Sequence, residues 1–202
     1  MRTSSGFCQT VSNSIRQHLS RFSVATIVAV VGLFGLARLA AAEVVYKSAD
    51  ITIKYGTYNL DLNGDGVTDF TITSEISGSC TPHSIESGAL SETPASGNGT
   101  MIGPLAKGDE IGPNQAFSGG TLDLVYFFTT WLPEMCKFTW SGTWYSYHKA
   151  TTGYLGLSFQ LNGETYYGWA QLTVKGITAT LTGYAYETIP GKAITAGKKK
   201  GN

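Results

Sequence analysis

Arginine is confined to one end of this chain. Its four occurrences, Arg2, Arg16, Arg21 and Arg38, fall before residue 43, and the 160 residues that follow have none. Those residues carry ten lysines against fourteen acids, a net charge of −4, with no basic cluster of the kind a nucleic-acid surface requires. Cysteine and histidine are equally scarce: past residue 42 only Cys80, Cys136, His83 and His148 occur. A zinc site would consume all four and is disfavoured. No Gly-x-Ser-x-Gly elbow is present, so a Ser-His-Asp triad would have to recruit His83 or His148, Asp109 or Asp123, and an unmarked serine. Helical periodicity is also missing past residue 42, which points away from a helical fold.

The first forty-two residues have their own character. A basic, Ser-rich lead is followed by Phe22–Ala37, sixteen residues without a charge, and then by Arg38-Leu-Ala-Ala-Ala42. Ala40 and Ala42 stand in the A-x-A relation, so residues 1–42 are expected to be a secretory signal cleaved before Glu43. The alternatives are an uncleaved anchor or a buried helix. Sixteen helical residues rise about 24 Å, short of the roughly 30 Å of a hydrocarbon core. The expected location is therefore secreted or periplasmic, with no membrane contact after cleavage. In an oxidising compartment Cys80 and Cys136 could pair as a disulfide; two separate buried thiols are the other reading.

Residues 43–197 read as one all-β domain. Ile51, Ile53 and Tyr55 share a face within 46–58, and 67–73 alternates in the same way. The stretches 122–131 and 137–147 are rich in β-branched and aromatic residues. The clearest pattern is the last. Leu155, Leu157, Phe159 and Leu161 share a face, Asn162-Gly163 marks a tight hairpin, and Ala170, Leu172 and Val174 share a face on the return. Ile177, Ala179 and Leu181 follow on a third strand. A meander with one apolar face needs a covering layer, so the expected fold is a two-layer antiparallel β-sandwich, jelly-roll-like. Residues 78–120, dominated by Gly, Ser, Pro, Asn and Thr, are expected to hold one or two short edge strands between long turns. Residues 198–202 read as a solvated basic tail.

The sharpest motif is Asp61-Leu-Asn-Gly-Asp-Gly-Val-Thr-Asp69. Asp61, Asn63, Asp65 and Asp69 occupy relative positions 1, 3, 5 and 9, with the Val67 carbonyl at 7. Hard Ca²⁺ takes six to eight oxygens, and alternating side chains round a tight turn supply them. Gly66 and Gly64 allow the turn. Position 12 is Ile72 rather than Glu, and the flanks read as strands, so this is not an EF-hand. Asp50 or Glu75 would have to complete the donors. An Asx-rich turn that is merely acidic is the alternative reading.

Aromatic residues are plentiful, and Trp140, Trp144, Tyr167 and Trp169 are the candidate ligand contacts, since sugars stack on such rings. Core packing and a protein interface are the competing roles. Leu122–Thr130, if it formed an exposed edge, would invite self-association by strand addition. Carboxylates at Asp109, Glu110, Glu134 and Glu164 keep a hydrolase open.

With those residues set out, the chain resembles a loosely characterised group of secreted bacterial β-proteins, many with a PEP-CTERM sorting tail. The resemblance rests on 61–70, on Ala106–Pro113 with Phe117-Ser118, and on Gly153–Phe159, Tyr166–Val174 and Gly183–Gly191. It spans roughly residues 45–197 and implies export, calcium and a β-sandwich; it implies no reaction. After Gly197 the chain reads Lys-Lys-Lys-Gly-Asn, with no Pro-Glu-Pro. The expected role is a non-enzymatic, calcium-stabilised structural or adhesive protein of the cell surface or matrix. A carbohydrate-binding module is the alternative, and a secreted hydrolase is less favoured.

Overall fold

The computed structural model describes residues 43–147 and 149–201. The expected signal and its cleavage point lie outside them, as does His148. The strands are β1 (Val44–Ile53), β2 (Gly56–Leu60), β3 (Phe70–Thr81), β4 (Ser84–Pro94), β5 (Gly99–Thr100), β6 (Glu110–Ile111), β7 (Leu122–Leu132), β8 (Met135–Ser141), β9 (Thr151–Leu161), β10 (Glu164–Lys175), β11 (Thr178–Glu187) and β12 (Ile194–Thr195). They build two five-stranded antiparallel sheets, ordered β1-β11-β10-β9-β5 and β2-β3-β4-β7-β8, and a two-stranded ribbon of β6 and β12. A two-layer antiparallel sandwich is thus what forms. Its order departs from the jelly-roll expectation: β2, β3 and β4 follow one another as hairpins within one sheet, as do β7 and β8, and the chain leaves that layer between β4 and β7 to form β5 and β6.

The meander behaves as its sequence dictates. Asn162 and Gly163 both have positive φ, 54° and 81°, which matches the right-handed strand twist and pairs Leu161 with Glu164. With register fixed, Leu155, Leu157, Phe159, Ala170, Leu172, Val174, Ala179 and Leu181 all face the second sheet. They meet Phe70, Ile72, Leu90, Val125 and Phe127 there, and each large side chain buried in this way contributes about 1.5–3 kcal/mol.

The opposite face of the first sheet is buried as well. Tyr154, Tyr167, Trp169 and Ala185 form a second core with Val44, Ile111, Ile194 and Ala196. The cover comes from the β6–β12 ribbon and its flanking turns. The start of the basic tail is docked rather than solvated: the Trp169 indole N–H donates to the Lys198 carbonyl (3.2 Å), and the Lys199 ammonium lies 4.5 Å from the Tyr46 ring centroid.

Three stretches differ from their sequence reading. The run 46–58 is two strands, not one: at Tyr55, with φ of 52°, the chain leaves the first sheet and enters the second. Residues 84–94 form an eleven-residue strand in the middle of the second sheet, where only short edge strands were expected. Leu122–Thr130 is not an edge, since β7 pairs with β4 on one side and β8 on the other. The free edges of that sheet are β8 and β2.

A disulfide joins Cys80 on β3 to Cys136 on β8, with Cα atoms 6.1 Å apart. In the sheet order those strands are three places apart, which is about 14 Å if flat. The β4–β7 register runs no further than Ser87–Phe128; past that pair the Thr129 hydroxyl takes over, accepting from Glu86 N (2.8 Å) and donating to the Glu86 carbonyl (3.1 Å), and the two hairpins curl until their tips meet at the disulfide.

Candidate functional site

The acidic loop connects β2 to β3, as a hairpin connection should. Leu62 anchors it: the side chain is buried in the main core and reaches Gly168 on the opposite sheet. A Cβ at Gly168 would stand 2.9 Å from Leu62 Cδ2 and 2.6 Å from the Ala185 carbonyl, so the close approach requires glycine. Around this anchor the carboxylates fold onto the loop's own amides. Asp61 accepts from Gly64 N (2.6 Å), Asp65 N (3.2 Å) and Gly66 N (2.8 Å). Asp65 accepts from Val67 N (2.8 Å) and from the Asn63 amide (2.9 Å), while Asp69 accepts from Leu62 N (2.8 Å).

The loop's charges feel one another. Burial raises the Asp69 carboxyl above its ordinary range, the Leu62 amide opposes this, and the Asp65 and Asp61 carboxylates push it further up. For Asp61 burial also works upward, but the Gly66, Gly64 and Asp65 amides and the Lys47 ammonium outweigh it and hold the group low. Asp50 and Glu75 are not among the charges acting on either, and Glu75 stands five residues along β3 from Phe70, about 17 Å at strand rise. Among the described residues, no three His, Cys, Asp or Glu side chains are gathered closely enough to hold a metal ion. What fits calcium is the donor chemistry: three carboxylates, an amide oxygen and a carbonyl within one short loop.

Of the four aromatic candidates, three are enclosed. Trp169 and Trp144 are 0% and 1% exposed, and Tyr167 is 6% exposed, so their rings serve the two cores and offer no stacking face. The pattern misled here because the first sheet is covered on both sides, which turns its outward alternation into a second interior. Trp140 alone borders open space. It packs on Phe127 (centroids 4.6 Å) and lies nearly parallel to Tyr145 (5.9 Å, 10°), which braces it from two directions. With Phe138, Tyr147, Lys149 and Lys175 these two rings line a cleft of about 500 Å³ between the edge strand β8 and the β10–β11 turn. Tyr145 and Tyr147 belong to the aromatic cluster that sequence reasoning weighed for ligand contact, but it singled out neither Lys149 nor Lys175, because these converge on the rings only when β8 is laid against the end of the other sheet.

The curled end of the second sheet is apolar outside as well as in. Ile85, Tyr126, Phe128, Trp131, Met135 and Phe138 are each more than a third exposed. In the opposite sense, Glu92 lies inside the sandwich. It is 0% exposed, and burial pushes the carboxyl up to about 7 against a weaker downward pull from the neighbouring Thr100 hydroxyl. No family model, no curated protein and no solved structure matches this chain.

Proposed function

We propose that this chain is an exported, calcium-stabilised, non-enzymatic structural or adhesive protein of the cell surface or extracellular matrix, related to the secreted bacterial β-proteins it resembles. The observation that carries the reading is the curled, disulfide-joined end of the second sheet. It presents Ile85, Phe128, Trp131 and Met135 to solvent side by side, and grouped exposed apolar side chains are what an interaction surface offers. Calcium would be held by Asp61, Asn63, Asp65, the Val67 carbonyl and Asp69, and would supply the charge that the crowded carboxylates lack. The export reading draws support from the disulfide, which persists in oxidising compartments.

Sedimentation velocity of the oxidised protein across a range of concentrations tests this. Assembly that Phe128→Ser and Met135→Ser weaken is the expected result. A monomer at every concentration that also fails to adhere to matrix polysaccharide would overturn it.

A second reading, carbohydrate binding, is favoured by the braced Trp140–Tyr145 wall beside solvent. An amphipathic pyranose packs its C–H face on such rings while its hydroxyls stay hydrated.

A further inference from the structure

We infer that the cleft between β8 and the β10–β11 turn binds an acidic polysaccharide, with Trp140, Tyr145 and Tyr147 taking the sugar faces and Lys149 and Lys175 the uronate carboxylates. The inference rests on the carbohydrate-binding reading and adds the charge of the ligand. Its basis is a local inversion of charge. The chain past residue 42 is net negative, yet the lining of this cleft holds two lysines and no acid.

The two lysines come from neighbouring strand ends. Val174 pairs with Thr151, so Lys175, just after the one, and Lys149, just before the other, project from the same end of the first sheet. Lys192 and Glu187 form the one ion pair among the described residues, so no carboxylate among those residues neutralises either cleft lysine. Both are exposed and available to a ligand.

The volume, about 500 Å³, lies within the roughly 300–1,000 Å³ of small-ligand sites. Its walls are not closed: Phe138 is 48% and Tyr147 74% exposed. An open cleft with a stiff aromatic wall suits an internal unit of a polymer, which enters from the side and leaves at both ends. Nucleic acid also combines anionic charge with stackable rings. It is disfavoured because the described residues have no arginine and two lysines neutralise too few phosphates for useful affinity.

Calorimetric titration of the purified, oxidised protein decides the matter, using oligogalacturonate, a neutral galacto-oligosaccharide of equal length, and oligothymidylate. Oligogalacturonate is expected to bind tightest, to weaken with salt, and to quench Trp140 fluorescence. Lys149→Ala and Lys175→Ala each lower its affinity about 2–5-fold, and Tyr147→Ala about 3–10-fold. All three positions are exposed, so the fold persists in the variants. Equal binding of the neutral sugar, untouched by the lysine substitutions, would overturn the charge assignment and leave carbohydrate binding standing. Binding of neither sugar would overturn both, and tighter binding of oligothymidylate would replace them with a single-strand site.

Discussion

Glu92 sits where an apolar residue would ordinarily go. Its carboxyl takes up a proton near pH 7 in the folded chain and near 4.5 when unfolded. Between those values the folded state holds a proton that the unfolded state has released, so raising the pH favours unfolding. The stability is fully present below pH 4.5 and is lost as pH rises through 7, on the order of 3 kcal/mol in all. Urea titrations at stepped pH are expected to show this decline in the native protein, and a difference profile against Glu92→Gln isolates it. Identical slopes for the two proteins would refute the assignment. The same residue explains a gap in the sequence reading. The core-facing positions of β4 are Glu86, Gly88, Leu90, Glu92 and Pro94, and that polar set erases the alternation by which a strand is recognised. In contrast, Leu155, Leu157 and Phe159 announce their face because the interior they enter is uniformly apolar.

At the scale of elements, the acidic loop and the paired hairpins each yield a prediction. If calcium is held at 61–69, calcium at a hundredfold excess over its dissociation constant adds about 2.7 kcal/mol to stability. Thermal melts with and without calcium should show that rise in the native protein and its loss in Asp61→Ala and Asp65→Ala. The loop was legible because its donors are local, spaced by one turn of chain. The cleft was not, because Trp140 and Lys175 lie on different sheets and their meeting depends on where β8 ends. For the hairpins, the cystine spans 56 residues of sequence and on the chain-entropy view contributes about 4 kcal/mol. Cys80→Ser with Cys136→Ser should lower the urea midpoint accordingly, and dithiothreitol should bring the native protein to the same value. Scarcity of cysteine left that pair the only one past residue 42, although the sequence did not reveal that two hairpin tips had to curl together to form it.

At the scale of the molecule, the first sheet is clad on both faces, and the second cladding includes the turn at Lys198. Ending the chain at Gly197 would remove the acceptor of the Trp169 indole N–H, a loss worth about 1–3 kcal/mol. Lys199→Ala, which trims an exposed side chain, should stay within about 0.5 kcal/mol. Comparing both by chemical denaturation separates docking of the backbone from attraction by the tail's charge. The two-layer architecture was readable from the meander because one apolar face demands one partner. The extra cladding was not, since it is assembled from pieces of two residues each, β6 and β12, too short to carry a period.

The pairing of β1 with β11 sets an order of events. Val44–Ile53 hydrogen-bonds to Ala179–Glu187, so β1 has as its neighbour a strand that is made late among the described residues. During synthesis at about 5–20 residues per second, the 125 residues from Ile53 to Thr178 keep β1 waiting for roughly 6–25 s. For that interval the nascent chain lacks a finished barrier to being threaded lengthwise, and the arrival of β11 closes it.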